Sequence, residues 1–322
     1  MAILGKSVTK AAQLLQAPGQ LVAIPTETVY GLAGNALNEQ SLANIFAVKN
    51  RPAFDPLILH LARAADLHHY TSEVPPAAKL LAEAFWPGPL TLVLPKTKLV
   101  PELATAGLPT AAFRVPAHPL TQELLQRLAF PLAAPSANPF GYLSPTTAEH
   151  VNAQLGDKIP YILDGGPAQI GVESTIVGFS AEGTPVVLRL GGIGVEVLEK
   201  TLGQAPEVRK ASSSQPAAPG MLTRHYSPHT PIIVGNPCNH LAAYPRHRIG
   251  ILSYMRKFPA IPPEHNRVLA PTGDPAEAAR NLFRYLHELD ALGLQLILAE
   301  PLPEAGLGRA INDRLRRAAA KG

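Results

Sequence analysis

An α/β protein of two domains, a larger N-terminal one built on a mixed twisted sheet and a small C-terminal Rossmann-like layer, is predicted by three observations. The chain has 322 residues, 46% of them hydrophobic, which is enough for more than one modest core. Short apolar runs stopped by proline or glycine alternate with segments of helical period. The run from Gly203 to Gly220, G-Q-A-P-E-V-R-K-A-S-S-S-Q-P-A-A-P-G, has almost no apolar anchor and reads as a flexible connection. Domains are therefore expected at 1–203 and 231–322, with a linker at 204–230.

In the first domain, short apolar runs between turn residues predict strands at 21–25, 56–61, 90–95, 111–115, 131–134, 160–163, 174–179 and 185–189. Helices are expected at 7–16, 40–49, 76–84, 119–128 and 147–154. Hairpin pairing among the last strands makes the sheet mixed rather than doubly wound and parallel. Beyond the linker, Ile232–Val234, Arg248–Tyr254 and Leu296–Ala299 read as strands. A helix from Pro275 to Leu289 sets Ala279, Leu282, Phe283 and Leu286 on one face, and this alternation predicts the Rossmann-like layer. No G-x-G-x-x-G follows those strands, so a dinucleotide site there has no support.

The stretch from Ile24 to His60 carries the most chemistry. Pro25 cannot donate to a sheet ladder, so the strand ends there and leaves Thr26, Glu27 and Thr28 in a loop, free to bind. Leu42, Ile45, Phe46 and Lys49 fall at helical spacing, so Lys49 continues an apolar face and points inward, where an ammonium needs an anion. Pro52 pushes Arg51 out of the helical region, ends the helix and lets Lys49 and Arg51 converge on a phosphate. The plainer reading is a helix C-terminus whose cations answer the macrodipole.

One cysteine, Cys238, excludes internal disulfides and multi-cysteine zinc sites and agrees with a reducing, cytoplasmic location. No apolar run asks for a signal peptide or a membrane span. Residues 1–229 hold 16 Lys+Arg and 16 Asp+Glu, residues 230–322 hold 12 and 8, so the positive excess lies in the C-terminal part. Arg309, Arg314, Arg316, Arg317 and Lys321 supply much of it, either as a weak RNA-facing patch or as the solvated face of a last helix.

The Ile24–His60 string resembles the signature of the Sua5/YrdC family of threonylcarbamoyl-AMP synthases. Further segments similar to that family follow in order: Thr105–Pro116, Pro131–Asn138, Asp164–Gly166, Gly171–Val177 and Leu188–Gly191. Pro219–Pro228 and Gly306–Leu315 resemble the linker and second domain of its long form, so the resemblance covers nearly the whole chain. It implies a YrdC-like sheet with a concave active-site face and a Sua5 C-terminal domain. It also implies joining of L-threonine, bicarbonate and ATP into threonylcarbamoyl-adenylate with release of pyrophosphate, for the t6A modification at position 37 of ANN-decoding tRNAs.

By the same resemblance, Lys49 and Arg51 are expected near the ATP phosphates as the catalytic cations. Asp55, Thr110, Ser136, Asn138, Ser144, Arg189 and Tyr226 are expected to complete the nucleotide site, and Thr28, His60, Arg114, Ala134 and Ser174 to bind threonine. Arg114 ends an apolar strand and could take a carboxylate through two parallel hydrogen bonds. Judged singly, His60 reads as a structural histidine, Ser136 and Asn138 as turn residues before Pro139, and Arg189 as a surface strand residue. Arg224, His225 and Tyr226 in the linker are expected to act as a lid that excludes water from a mixed anhydride.

Two positions depart from the family pattern. Asp55 stands where an asparagine is common, and is expected either to hold magnesium or to weaken ATP binding; Leu190 replaces a proline after Arg189. Magnesium is expected with ATP, without a dedicated protein site. A monomer is expected, handing its product to a tRNA threonylcarbamoyl-transferase complex. The competing classes are a non-enzymatic RNA- or nucleotide-binding translation factor and a carbamoyl-transfer factor for metallocentre assembly, the latter disfavoured by the single cysteine.

Overall fold

The computed structural model describes residues 1–209 and 225–320. Most of the expected linker, including Arg224, lies outside these described residues.

The N-terminal part is one sheet of 11 strands. Across it the strands run Ile3–Gly5, Tyr161–Leu163, Val22–Ile24, Gly31–Asn35, Leu132–Ala133, Ile58–His60, Thr110–Arg114, Leu90–Pro95, Thr175–Phe179, Pro185–Arg189 and Glu207–Val208. Parallel pairs such as Ile58–His60 with Thr110–Arg114 mix with antiparallel ones such as Leu90–Pro95 with Thr110–Arg114, so the sheet is mixed as expected. Three strands were not anticipated here: Ile3–Gly5, Gly31–Asn35 and Glu207–Val208. Gly31–Asn35 carries little intrinsic strand preference in its residues G-L-A-G-N. It forms a strand by pairing antiparallel with Val22–Ile24, so Pro25–Tyr30 becomes the connection of a hairpin.

The helix Glu39–Lys49 is capped by Asn38, whose side chain accepts from the Ser41 amide. It ends because Asn50 turns left-handed at φ 55°, not because of Pro52. Helices at Val8–Gln16, Pro76–Phe85, Pro119–Gln126 and Ala148–Leu155 stand where the periodicity placed them. Leu67–Tyr70, Glu102–Thr105 and Val195–Leu202 are helical and had not been assigned.

The C-terminal part is a four-stranded, wholly parallel sheet in the order Ile232–Val234, Leu296–Ala299, Ile249–Ser253, Asn266–Val268. Helices Pro275–Asp290 and Leu307–Ala319 pack on it. Their core is continuous with Val29, Leu143 and Val172 of the first domain, so the two domains share apolar packing. Gly171, at φ 81°, lets its loop nest against the Pro275–Asp290 helix: a Cβ there would lie 2.4 Å from the Ala279 carbonyl oxygen.

Polar contacts finish the seam. The Tyr142 hydroxyl donates to Asp290 at 2.6 Å, and the His287 ring lies 3.2 Å from the Ser144 carbonyl oxygen and 4.1 Å from the His150 ring centroid. Burial, and then His150, lower His287 to a pKa of about 4. Because the unfolded chain binds that proton near pH 6.5, this contact's contribution is complete above pH 6.5 and declines as pH falls toward 4, by up to about 1.4 kcal/mol per pH unit. The urea midpoint is therefore expected to drop between pH 7 and pH 5, and His287→Gln to flatten that slope. An unchanged slope in the variant contradicts this assignment.

Candidate functional site

Side chains alternate across a strand, so the helix-covered core fixes what the other face presents. Leu59, Phe113 and Val177 enter the helix-side core, whereas Ile58, Val93, Ala112, Ile176, Val186 and Leu188 form a separate apolar cluster on the opposite face. His60 shares Ile58's parity, Thr110 and Arg114 share Ala112's, and Ser174 shares Ile176's. One sheet face thus carries all four. Arg189 has the parity of buried Val187, but the register shift between them sets Arg189 opposite Ile176, so a bulge re-aims it.

Over this face lies a cavity of about 50 Å³, room for a few water molecules. Nine of the expected site residues line it: Thr28, Arg51, His60, Arg114, Ala134, Ser136, Ser174, Arg189 and Tyr226. Lys49, Asp55, Thr110, Asn138 and Ser144 do not. Glu173 and His225 do, although neither had been assigned a ligand.

At one end, Arg114 donates to Glu27 at 2.6 Å and to the Gly88 carbonyl at 3.2 Å. The second Glu27 oxygen accepts the Ala117 amide, so Glu27 is not free to bind as the sequence suggested: it is the counter-ion of Arg114. Thr26 is likewise committed, donating to the Val29 carbonyl and bonded to the Thr28 hydroxyl at 2.8 Å. His60 is buried, with its Nδ1 3.2 Å from the Ile58 carbonyl. Burial, and then Arg114, lower its pKa to about 3, which keeps the ring neutral.

At the other end, the Lys49 ammonium points inward as expected but meets carbonyls, donating to Ser136 at 2.6 Å and Asn138 at 2.5 Å. Lys49 thereby fixes the Ser136–Asn138 loop, and Ser136 reaches the cavity because of it. Arg51 wraps the following turn, donating to the Asp55 and Pro56 carbonyls and pairing with the Asp55 carboxylate at 2.9 Å. Both Asp55 carboxylate oxygens are buried without hydrogen-bond geometry, and burial raises this carboxyl against the pull of Arg51. Arg189 donates to the Ser174 carbonyl and hydroxyl at 3.0 Å and is buried, not a surface residue. The Asn138 side chain donates to the Pro139 and Tyr142 carbonyls.

The seam supplies the roof. Ser144 donates to Glu173 at 2.5 Å, and the other Glu173 oxygen accepts from Arg314 at 2.9 Å. Burial alone would raise Glu173; Arg314 and Arg189 instead hold it below the usual carboxylate range. Tyr226, at φ 64°, lies with its ring 5.1 Å from the Arg314 guanidinium and 5.3 Å from that of Arg317. Arg314 and Arg317 are 0% and 7% exposed, which corrects the reading of a solvated helix face; Arg316, at 57%, fits it. A signal for Arg314 was present: Ile311, Arg314, Leu315 and Ala318 form one helical stripe, the pattern that marked Lys49.

Removing one member of a buried ion pair strands the other. Glu27→Ala is expected to destabilise the protein by about 3–5 kcal/mol, read as a lower denaturant midpoint. A loss below about 1 kcal/mol, the range of exposed pairs, would show that Glu27 does not neutralise Arg114.

Residues 14–191 match the family described as Telomere recombination (Sua5_yciO_yrdC), and residues 193–320 match the one described as Threonylcarbamoyl-AMP synthase, C-terminal domain. A Pyrococcus abyssi protein named Threonylcarbamoyl-AMP synthase is 43% identical over 319 residues, spanning 93% of this chain and 90% of the relative. A Bacillus subtilis protein of the same name is 40% identical over 323 residues, with 97% and 92% covered. The crystal structure of P. abyssi Sua5 complexed with L-threonine superposes with a TM-score of 0.91 at 40% identity, over 99% of this chain and 97% of that one. The chain belongs to the Sua5/YciO/YrdC family and carries the Sua5 C-terminal domain.

Proposed function

We propose that this chain is an L-threonylcarbamoyladenylate synthase, making threonylcarbamoyl-AMP and pyrophosphate from L-threonine, bicarbonate and ATP for tRNA t6A modification. The observation that carries the reading is one cavity lined by three arginines, Arg51, Arg114 and Arg189, with family membership behind it. Arg114 is suited to the amino-acid carboxylate, and Thr28 and Ser174 to its hydroxyl. The threonine amine adds to bicarbonate, giving a carbamate with loss of water. A carbamate oxygen then attacks the α-phosphorus, the bond to the β-phosphate oxygen breaks, and pyrophosphate departs. Such a displacement requires positioning and charge neutralisation and no protein nucleophile.

A nucleotide does not fit a cavity of about 50 Å³. ATP entry therefore requires displacement of the roof that His225 and Tyr226 form, which then recloses over the mixed anhydride and excludes water. Magnesium is proposed to travel on the triphosphate. Asp55 does not fit a resident metal site, being paired with Arg51 and surrounded by Lys49, Arg189 and Arg317. Among the described residues no group of three His, Cys, Asp or Glu side chains could hold a metal ion. The consumer of the labile product is proposed to be a tRNA threonylcarbamoyl-transferase complex, met by the protein as a monomer.

Pyrophosphate release by the purified protein with ATP and magnesium is expected to require both threonine and bicarbonate. Arg51→Ala is expected to lower kcat/KM for ATP by about 100-fold while threonine affinity stays within about twofold. Tyr226→Ala is expected to change ATP affinity or turnover by about tenfold. Release without threonine or bicarbonate would mean a plain nucleotide hydrolase, and no release would refute the synthase.

A further inference from the structure

Hydroxyl groups in contact share a limited number of protons, and counting those protons fixes the polarity of the cavity wall. Ser174 lines the cavity; its hydroxyl oxygen accepts an N–H of Arg189 at 3.0 Å and lies 2.7 Å from the Thr91 hydroxyl. Thr91 is fully buried and does not line the cavity. It sits on the strand Leu90–Pro95 with the parity of Val93, a member of the apolar cluster on the catalytic sheet face, so its side chain emerges on that face and meets Ser174 from within the protein.

Among the described residues the Thr91 hydroxyl has no other hydrogen-bond partner. Were Ser174 the donor of this pair, the Thr91 proton would be buried and unbonded, which is unfavourable. Thr91 therefore donates. Both acceptor positions of the Ser174 oxygen are then filled, by Thr91 and Arg189, and the Ser174 proton is left for the cavity. Thr28 is fixed in the opposite sense. The Thr26 hydroxyl spends its proton on the Val29 carbonyl at 2.6 Å, so across the 2.8 Å contact Thr28 is the donor and has only lone pairs left for the cavity. A group meeting both must donate to Thr28 and accept from Ser174; an alcohol does this, whereas an ammonium, a carboxylate or a methyl does not.

We propose that Thr91 is a specificity-determining residue that acts through Ser174. It holds Ser174 as an obligate donor, so that with Thr28 as obligate acceptor the cavity selects an amino acid with a side-chain hydroxyl. Thr91 is a positioning residue, since it does not itself reach the cavity. The choice of threonine as ligand rests on the synthase reading, but the test reads amino-acid binding without ATP.

The test titrates L-threonine and L-2-aminobutyrate, which has hydrogen in place of the hydroxyl, into the full chain by calorimetry, with the melting midpoint recorded. Wild type is expected to prefer threonine by about 100-fold or more. Thr91→Val, which keeps the shape and removes the hydroxyl, is expected to weaken threonine binding by about tenfold and leave aminobutyrate within about twofold. Thr91→Ser, which restores the hydroxyl, is expected to recover most of that loss. Ser174→Ala is expected to lower the discrimination at least as far, with Thr91→Val adding nothing in that background. It also keeps the proposal open to refutation if Thr91→Val does not fold, since undiminished discrimination in Ser174→Ala overturns it. A wild type that binds both amino acids alike overturns it, as does wild-type discrimination in Thr91→Val. Equal weakening toward both ligands overturns it too, because Thr91 would then only pack the sheet. A wild type that discriminates as expected but releases no pyrophosphate from ATP with threonine refutes the synthase reading and leaves this one standing.

Discussion

The buried ion pair between Arg314 and Glu173, at 2.9 Å, joins the last helix to the centre of the catalytic face. Glu173 spends its other oxygen on the Ser144 hydroxyl, and the next residue, Ser174, gives its carbonyl and hydroxyl to Arg189. A contact made at the C-terminal end of the chain therefore fixes two loops and one cation of the N-terminal sheet. Burying two charges is costly, and the cost is offset on the Glu173 side, where both oxygens accept hydrogen bonds, while Arg314 keeps its Nη2 without a hydrogen-bond partner. The same helix supplies Arg317, so the roof over the cavity depends on the docking as well.

Beneath that roof, the chemistry follows from sheet parity. Adjacent strands set His60 beside Arg114 in register, and a bulge brings Arg189 to the same face as Ser174. Each cation there is immobilised by backbone carbonyls or a carboxylate before any substrate arrives: Lys49 by Ser136 and Asn138, Arg51 by Asp55 and Pro56, Arg114 by Glu27 and Gly88. Preorganised charge of this kind stabilises a transition state without reorganising during the reaction. Lys49, the cation that most resembles a catalytic one by sequence, also holds the Ser136–Asn138 loop through its two carbonyl contacts.

Much of this was legible in the sequence because it obeys local rules. Helix-period apolar residues located Glu39–Lys49 and Pro275–Asp290, and the inward direction of Lys49 followed from its place on that stripe. Gly31–Asn35 was not legible, since its strand state comes from pairing with Val22–Ile24 and not from its own residues. Arg189 was misjudged for a related reason: a bulge is a property of two strands and leaves no trace in either alone. The commitment of Glu27 to Arg114 spans 87 positions and depends on tertiary structure. Charge composition alone makes Arg314 and Arg317 look solvated, whereas the docked helix buries both, and only Arg314 shares the apolar stripe of Ile311, Leu315 and Ala318.

A double-mutant cycle of Glu173→Gln and Arg314→Met, read by threonine affinity in the full chain, tests most directly whether the C-terminal helix organises the catalytic face. Each single change is expected to weaken threonine binding, and the double variant to be no weaker than the worse single one, giving a coupling energy of about 2 kcal/mol or more. Additive losses, or a threonine affinity indifferent to Arg314→Met, would contradict the account.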